Sequence, residues 1–244
     1  MNGEKRATGI HADAVAHIAR KILRGRLKAG ASLPTEPEIG AELGVSRTVV
    51  REAVKTLAAK GLVVTGPRLG MRVRPMPDWN LFDADVIDWR VAAGVDAKFL
   101  EDVVEMRLAI EPMAARLAAK RADADAIARI ERAFKAMREA VDGKGGYLAA
   151  DLDFHRTILI AADNQFVSAL APLLSALLGV SFRHSVKSRE RARASLPQHE
   201  AVLRAIAKRK PEAAENALRQ LIRQAREDIF DGVKADGFLE EDGE

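Results

Sequence analysis

The amino-acid sequence predicts a mainly α-helical protein with a small N-terminal domain followed by an all-helical antiparallel bundle. Three observations lead to this prediction. The 244 residues exceed the common size of a single domain. Aromatic residues make up 5% of the chain, whereas Ala, Leu, Arg, Glu and Lys, which favour helix over strand, are abundant. From Asp78 onward, apolar residues recur with the period of about 3.6 residues that is typical of helices.

The composition excludes several classes of protein. The chain has no cysteine, which excludes disulfides, thiolate metal sites and cysteine nucleophiles. Hydrophobic residues at 48% and charged residues at 30% are typical of a globular chain and argue against disorder. No apolar core follows the basic residues near the N-terminus, and no apolar stretch approaches the ~20 residues of a membrane span. We therefore expect a cytoplasmic protein with no membrane partner.

Charge is distributed unevenly along the chain. Residues 1–75 carry 14 Lys and Arg against 6 Asp and Glu, a net charge of +8, whereas residues 76–244 carry 25 against 29, a net charge of −4. A basic segment joined to a mildly acidic one is typical of a polyanion-binding domain attached to a domain with another role. A chance fluctuation of surface charge is the alternative that remains open at this point.

Residues 1–75 show the pattern of three helices followed by a hairpin. The predicted elements are helices over 12–27, from the residue after Thr35 to Leu43, and over 47–60, and strands over 62–65 and 71–73. Thr35 with Glu38 forms a capping-box signature, and Ser46 is a candidate N-cap for the third helix. Gly61 is placed to end that helix. This order of elements predicts a winged helix-turn-helix domain.

Arginines lie at the start of the third predicted helix. Arg47, Thr48 and Arg51 project away from its apolar face. A helix N-terminus presents backbone N–H groups to phosphate, and guanidinium groups pair with guanine edges in the major groove. On the hairpin, Arg68 and Arg72 are placed to reach the adjacent minor groove or the backbone. Each arginine alone is more often a solvated surface charge, but their combination predicts a surface that binds double-stranded DNA.

A domain boundary follows residue 75, since Pro75 and Pro77 disfavour helix on both sides. We expect a linker over 76–95, a helical bundle over 96–235 and an acidic tail over 236–244. The predicted helices of the bundle span 96–122, 123–141, 146–162, 165–186, 196–209 and 211–233. The linker contains both tryptophans, Trp79 and Trp89, which we expect to pack it onto one of the two domains.

Two groups of polar residues in the bundle are candidates for a site. Asp151 and His155 are four residues apart and share one helical face, and the bundle could bring His199 opposite them. These three side chains could chelate a metal ion, or they could form an ordinary hydrogen-bonded cluster. Arg107 lies among apolar neighbours, and a buried arginine requires an anion, for which Glu111 and Asp151 are internal candidates.

The first domain resembles the winged-helix domain of GntR-type transcription regulators. The resemblance is carried by the segments Leu33-Pro34-Thr35-Glu36, Gly44-Val45-Ser46-Arg47-Thr48-Val49-Val50-Arg51-Glu52-Ala53 and Leu57-Ala58-Ala59-Lys60-Gly61-Leu62. It implies that the DNA-contacting arginines are Arg47 and Arg51, with wing contacts near Arg68 and Gly70. Many members carry an arginine at the position of Pro37, so the resemblance also implies that one phosphate or base contact is missing here.

The second domain resembles the FCD domain of the FadR-like branch of that family, through residues 107–112, 151–155 and 198–206. This resemblance implies an all-helical effector-binding and dimerisation domain in which one aspartate and several histidines hold a divalent metal ion, with zinc the ion expected. The matching ligands are Asp151, His155 and His199 in this sequence. The usual fourth ligand, a third histidine, corresponds to Leu221, which implies that the metal is held weakly or lost, or that water and the effector fill the open positions.

The resemblance also implies an effector. The arginine that matches Arg107 is associated with the carboxylate of the effector, and a bidentate fork suits that role. Arg183, His184 and Ser195 are expected to line the same cavity, although Ser195 is equally suited to cap the helix that follows it. Residues 79–89 are similar to the same segment in members that sense sugar acids, so the implied effector is a hexonic acid such as galactonate.

These observations predict a homodimeric transcriptional repressor that binds an inverted repeat and releases it when a small carboxylate binds the bundle. No nucleophile or base is evident beside the candidate metal ligands, so we predict no catalytic residues and no enzymatic activity. Three alternatives remain open: a metal-dependent enzyme with an accessory DNA-binding domain, a transcriptional activator, and an architectural DNA-binding protein without a ligand.

Overall fold

The computed structural model describes the backbone of residues 2–185 and 189–235, and the side chains of residues 9–179 and 189–231. Internal contacts divide the chain into two compact units, 1–94 and 95–244. Within the described ranges both units are helical, apart from one two-stranded sheet in the first unit. The predicted acidic tail over 236–244 lies outside the described residues.

The first unit has the predicted order of helices and hairpin. Its elements are α1 (Asn2–Leu23), α2 (Glu36–Leu43), α3 (Arg47–Ala59), β1 (Val63–Gly66), β2 (Gly70–Val73), a one-turn 3-10 helix (Met76–Asp78) and α4 (Ala84–Ala93). Before α2, the carboxylate of Glu38 accepts hydrogen bonds from the backbone N–H and the hydroxyl of Thr35, at 2.7 and 2.8 Å. Before α3, the hydroxyl of Ser46 accepts from the N–H of Val49 at 3.4 Å. Gly61 follows α3 with a φ of +81°, as a C-terminal glycine should.

The two strands form an antiparallel hairpin whose register pairs Val63 with Val73. An isolated bridge between Ser32 and Arg72 adds the segment before α2 to the open edge of β2. The hairpin is therefore held on its inner side by the chain that leads into the helix-turn-helix.

The core of the first unit lies between α1, α3 and the hairpin. Its buried members are Ala14, Val15, Ile18, Ala19, Ile22, Leu33, Ile39, Val50, Ala53, Val54, Leu57, Leu62, Val63, Val73 and Val86. In α3 the buried residues follow the spacing i, i+3, i+4 and i+7, from Val50 to Leu57. One face of α3 is thus fixed in the core, and its polar face is left toward solvent.

The segment over 76–95, expected to be a linker, forms the 3-10 helix and α4, and its residues up to Gly94 belong to the first unit. Val86 belongs to the core of this unit, and Trp79 and Trp89 pack against it, which is the packing role expected of them. Asp83 caps α4 by accepting hydrogen bonds from two backbone N–H groups of its first turn. α4 is 10 residues long, and its fully buried residues are Val86 and Ile87.

The second unit is an all-helical bundle in the described residues. Its helices are α5 (Ala97–Arg121), α6 (Ala124–Val141), α7 (Tyr147–Ala161), α8 (Gln165–Ala169), α9 (Ala171–Ser185), α10 (Arg189–Ala207) and α11 (Pro211–Ala235). Aspartates begin two of them: Asp96 accepts from the N–H of Phe99, and Asp123 accepts from the N–H of Ala126, both at 2.7 Å. α11 packs along α5 and also contacts α9 and α10.

Two predicted helix boundaries in this unit are wrong. The single helix expected over 165–186 is interrupted at Leu170, which separates α8 from α9. The helix expected to begin at residue 196 begins at Arg189 in the described range, so Ser195 and Pro197 lie inside α10. The hydroxyl of Ser195 donates to the carbonyl of Ala192 at 2.9 Å, a bond to the preceding turn, so Ser195 is not an N-cap.

The core of the bundle is built from alanines and branched aliphatic side chains of every long helix, together with Phe154 and Met137. Within this apolar surrounding the structure buries a small polar group: Arg107, Glu111, Asp151, His155, Thr157 and His199. Buried charged side chains require partners, so this group identifies the part of the bundle where a site should be sought. None of the described helices is long and apolar enough to cross a membrane.

Candidate functional site

The predicted DNA-contacting residues of α3 lie on its solvent-facing side. Arg47, Thr48 and Arg51 are exposed, and Arg47 is the first residue of the helix. The start of α3 also carries the positive end of the helix dipole. The surface therefore combines guanidinium groups with backbone donors, which is the chemistry that binds a nucleic-acid backbone and reads base edges.

Arg51 has an internal partner that the sequence did not reveal. Its Nε and Nη2 donate to the two carboxylate oxygens of Glu36 at 3.2 and 3.1 Å, and the side chain of Arg51 remains 61% exposed. The hydrogen bonds and charge of Glu36 raise the pKa of Arg51 above its ordinary value. Glu36 is the first residue of α2, so this ion pair joins the start of α2 to the DNA-facing side of α3.

The hairpin residues are placed differently from one another. Arg68 is exposed in the turn between the strands, and Gly70 begins β2 with a φ of +67°, a conformation that favours glycine. Arg72 is also exposed, but its Nη1 donates to the carbonyl of Gly30 at 2.9 Å. In this structure Arg72 therefore anchors the hairpin to the preceding loop, whereas Arg68 is the basic side chain at the tip.

The bundle contains a polar cavity whose empty space, with the open solvent at its mouth included, is about 530 Å³. Its described lining comprises Arg107, Tyr147, Asp151, His155, Leu178, Arg191, Ser195, Gln198, His199, Leu221, Gln224, Ala225 and Asp228. The cavity thus brings together Arg107, the three candidate metal ligands and Ser195, which the sequence places far apart. The side chains of Arg183 and His184, also expected there, lie outside the described residues.

A buried carboxylate joins Arg107 to the candidate metal ligands. Glu111 lies one turn after Arg107 on α5 and accepts from its Nε through Oε1 at 2.7 Å. Through Oε2 it also contacts Nδ1 of His155 at 2.5 Å. Arg107 is 3% exposed, Glu111 0% and His155 2%. The internal partner of Arg107 is therefore Glu111, as one alternative predicted, but the guanidinium also lines the cavity and can face a ligand there.

The charge of Glu111 is stabilised by these two partners. Burial alone would raise the pKa of this carboxyl, but the charges of Arg107 and His155 outweigh burial and lower the pKa to about 2. Glu111 is therefore ionised and accepts from Nδ1–H of His155. In the neutral imidazole this leaves the lone pair on Nε2. The sequence identified Glu111 only as a possible partner for Arg107. Its contact with His155 was not predictable, because the two residues lie on different helices and are 44 residues apart in the sequence.

His199 is held in the same tautomer by a different acceptor. Its Nδ1 donates to the backbone carbonyl of Ser195 at 2.9 Å, so the neutral ring carries its lone pair on Nε2. That Nε2 is fully buried and has no hydrogen-bond partner among the described residues. It nevertheless lies 3.1 Å from Oδ1 of Asp151. A lone pair directed toward a carboxylate is unfavourable unless a proton or a cation lies between them.

The three side chains thus form a donor set that fits a cation. The ligand atoms of Asp151, His155 and His199 lie within 4.8 Å of one another, and all three residues are buried. Burial would raise the pKa of Asp151, but the contact with His199 and the charges of His155 and Arg107 lower it. One carboxylate and two imidazoles are ligands that suit zinc and neighbouring divalent metals, and Glu111 supplies the outer hydrogen bond that such histidines usually make.

The rest of the cavity lining is mixed in character. Leu221, at the position expected for a fourth ligand, lines the cavity and is 4% exposed, so this side offers no donor at that position. Tyr147 donates from its hydroxyl to Oγ of Ser195 at 2.6 Å, since Ser195 uses its own proton on Ala192. Burial and the charge of Asp151 raise the pKa of Tyr147, so its hydroxyl stays protonated.

The fold and the two sites define a transcription regulator with a winged helix-turn-helix domain and a helical ligand-binding domain. Residues 11–73 match the family described as bacterial regulatory proteins, gntR family, and residues 102–224 match the FCD domain. The chain therefore belongs to the GntR family, and it is a GntR-family transcriptional repressor with an FCD effector-binding domain rather than an enzyme.

The similarity to curated relatives extends over most of the chain. It is 33% identical over 208 residues to the uncharacterized HTH-type transcriptional regulator YieP of Escherichia coli, covering 84% of this chain and 89% of the relative. It is 30% identical over 209 residues to the galactonate operon transcriptional repressor of the same organism, covering 84% and 90%. Among solved structures, Lar of Listeria monocytogenes is similar in fold, with a TM-score of 0.62 and 18% identity over 91% of this chain and 96% of that chain.

Proposed function

We propose that the protein is a homodimeric repressor that leaves its operator when a small carboxylate, a sugar acid such as galactonate, binds in the cavity beside a divalent metal ion. The observation that carries this proposal is the position of Arg107 in one cavity with Asp151, His155 and His199. A buried guanidinium and a cation site side by side suit an anionic ligand with further oxygen atoms.

The DNA-binding part of the proposal rests on the exposed start of α3. We propose that Arg47, Thr48 and Arg51 enter the major groove, with Arg68, Gly70 and Arg72 of the wing at the adjacent backbone or minor groove. The capped helix N-terminus supports the first assignment and the exposed tip supports that of Arg68. A homodimer requires two matching half-sites, so the proposed operator is an inverted repeat.

The metal part rests on the donor set of Asp151, His155 and His199. We propose zinc, because imidazole and carboxylate ligands suit it. A bound divalent ion would supply a positive charge and open coordination positions for oxygen atoms of the ligand. The chain's own contribution is to hold both imidazoles by Nδ1, through Glu111 and the carbonyl of Ser195, which leaves the lone pair of each neutral ring on Nε2.

The effector part rests on Arg107 and on the polar residues of the cavity. The guanidinium of Arg107 would bind the carboxylate of the acid, while Ser195 and Tyr147 offer hydroxyl oxygen atoms to its hydroxyl groups. Arg183 is proposed to take part from the end of α9. A sugar acid is favoured because a galactonate repressor is among the relatives that match most of this chain. The effector would shift the equilibrium by its differential affinity for the DNA-free state.

Two single variants separate the two sites. Duplexes that bind the protein are first selected from a random-sequence library, and their binding is then measured with and without galactonate. Arg51→Ala should lose selective duplex binding but keep the thermal stabilisation by galactonate. Arg107→Ala should keep selective binding but lose both this stabilisation and the release of DNA.

Each part of the proposal can fail independently. If the wild-type protein selects no duplex over random sequence, it is not a sequence-specific repressor. If it selects a duplex that neither galactonate nor other sugar acids release, the effector class is wrong. If galactonate acts equally in the presence of a strong chelator, the metal has no part in its binding.

A further inference from the structure

The lysine at the end of the recognition helix α3 is engaged within the protein. Lys60 is the C-cap residue of α3, and its Nζ lies 2.7 Å from both carboxylate oxygens of Asp83 and 2.8 Å from Oδ2 of Asp85. Its side chain is 16% exposed, whereas that of Lys55, one turn earlier, is 66% exposed. A lysine held by two carboxylates is not available to DNA phosphates, although it lies on the DNA-reading helix.

Lys60 joins α3 to α4. Asp83 caps α4, Asp85 lies in its first turn, and the ring of Trp89 on the same helix lies 5.7 Å from Nζ. Burial would lower the pKa of Lys60, but hydrogen bonds to Asp83 and Asp85 outweigh burial and raise it. The ammonium group therefore stays charged and keeps all three contacts. These contacts connect the end of α3 to the beginning and middle of α4.

The backbone makes the same connection independently. The N–H of Asn80 donates to the carbonyl of Lys60 at 3.0 Å. Beside it, Gly61 is so close to the following segment that a Cβ atom there would lie 2.5 Å from the carbonyl oxygen of Asp78. The chain just after α3 and the segment that leads into α4 are therefore in close backbone contact. A displacement of one should move the other, because such packed contacts deform little.

We propose that Lys60 is a positioning residue that couples α3 to α4, so that DNA bound at the start of α3 is sensed in α4, and a change in α4 alters the hold of α3 on DNA. α4 is the last helix of the first unit, and the chain continues through Gly94 into the second unit. The role in effector release rests on the proposed function, whereas the coupling between α3 and α4 does not. Coupling of this kind is reciprocal, so it can be measured from the DNA side.

The test compares the full-length wild type with Lys60→Met, Lys60→Arg and the matched control Lys55→Met. Amide hydrogen exchange in α4 is measured with and without saturating short duplex, of random sequence at low ionic strength. In the wild type we expect the duplex to slow exchange in α4 several-fold. Lys60→Met should bind the duplex and show no such slowing, while Lys60→Arg restores it and Lys55→Met leaves it intact.

The outcomes decide the proposal in either direction. The proposal is overturned if duplex does not slow amide exchange in α4 of the wild type. It is also overturned if duplex slows this exchange in Lys60→Met as much as in the wild type, or if Lys55→Met loses the slowing as Lys60→Met does. Thermal unfolding and the exchange of α1, which supplies core residues of the same unit, show whether Lys60→Met is folded. If Lys60→Met is not folded, the slowing of α4 exchange by duplex is compared between Asp85→Asn and the wild type. Asp85→Asn removes one contact of Lys60 and keeps the cap at Asp83, so reduced slowing supports the proposal and equal slowing overturns it. A wild-type protein that ignores galactonate would refute the effector assignment and leave this test unchanged.

Discussion

Glu111 contacts His155 through one carboxylate oxygen at 2.5 Å and Arg107 through the other at 2.7 Å. One buried carboxylate thus orients both the side chain proposed to bind metal and the side chain proposed to bind the effector. Neither can change its hydrogen bond to Glu111 without affecting the other. The metal and effector sites should therefore be coupled in their energetics, and removing the charge of Glu111 should impair both.

Glu111→Gln should destabilise the bundle and weaken metal binding. The substitution leaves the guanidinium of Arg107 buried without an anion, which typically costs about 3–5 kcal/mol. Loss of the outer hydrogen bond to His155 should lower zinc affinity by roughly 10–100-fold. Urea unfolding and zinc titration measure the two effects. Glu105→Gln is the control, since Glu105 is exposed on the same helix and its substitution should change stability by about 0.5 kcal/mol or less.

Zinc should stabilise the protein through its three buried donors. At a free concentration about 100 times Kd, a ligand that binds only the folded state raises the free energy of unfolding by about 2.7 kcal/mol. Thermal unfolding after chelation and after zinc addition measures this change. His199→Ala should remove it, whereas His17→Ala, in the first unit and 33% exposed, should not. Equal stabilisation of the His199 variant would show that zinc binds elsewhere.

Leu221→His should convert the three-ligand site into a four-ligand one. Leu221 lines the cavity on α11, so a histidine there can supply the missing donor. We expect tighter zinc binding and a weaker response to galactonate, because one coordination position is no longer open. Leu221→Met keeps the wall apolar at similar volume and serves as the control. If the histidine variant binds zinc no more tightly, Leu221 does not occupy a ligand position.

Glu36→Gln should make duplex binding stronger and less selective. It removes a negative charge near the DNA surface, which at about 4 Å in water is worth about 1 kcal/mol, or about fivefold in affinity. It also frees the guanidinium of Arg51, which Glu36 orients. Competition between selected and random duplexes should show a smaller affinity ratio. Glu52→Gln removes an exposed charge of α3 that pairs with Lys55, and it should keep the ratio.

The fold was largely predictable because its signals are local. The Ser46 cap, the apolar face of α3 and Gly61 predicted the recognition helix to within one residue at its end. Boundaries failed where a strong local signal was overruled by context. Ser195 and Pro197 together are typical of a helix start, yet α10 runs through both, and the hydroxyl of Ser195 donates to the carbonyl of Ala192 in the preceding turn.

The ligand candidates were predictable by spacing and resemblance, but their supporting partners were not. Asp151 and His155 share a helical face because they are four residues apart, and in any α-helix this spacing places two side chains on the same face. The contact between His155 and Glu111, and that between Arg51 and Glu36, join different helices. They depend on how those helices pack, which periodicity does not specify. For the same reason the pairing of Lys60 with Asp83 could not be inferred from the sequence alone.

The missing side chain of Gly61 has a consequence for how this protein could evolve. Even a methyl group there would collide with the carbonyl of Asp78. Substitution of Gly61 is therefore disfavoured, although Gly61 is not among the proposed DNA contacts. At the opposite end of the same helix, Arg47 and Thr48 are exposed and bear on no core. If Arg47 and Thr48 make the proposed base contacts, new operator preferences arise by exchange of a few residues in the first turns, while the far end stays constant.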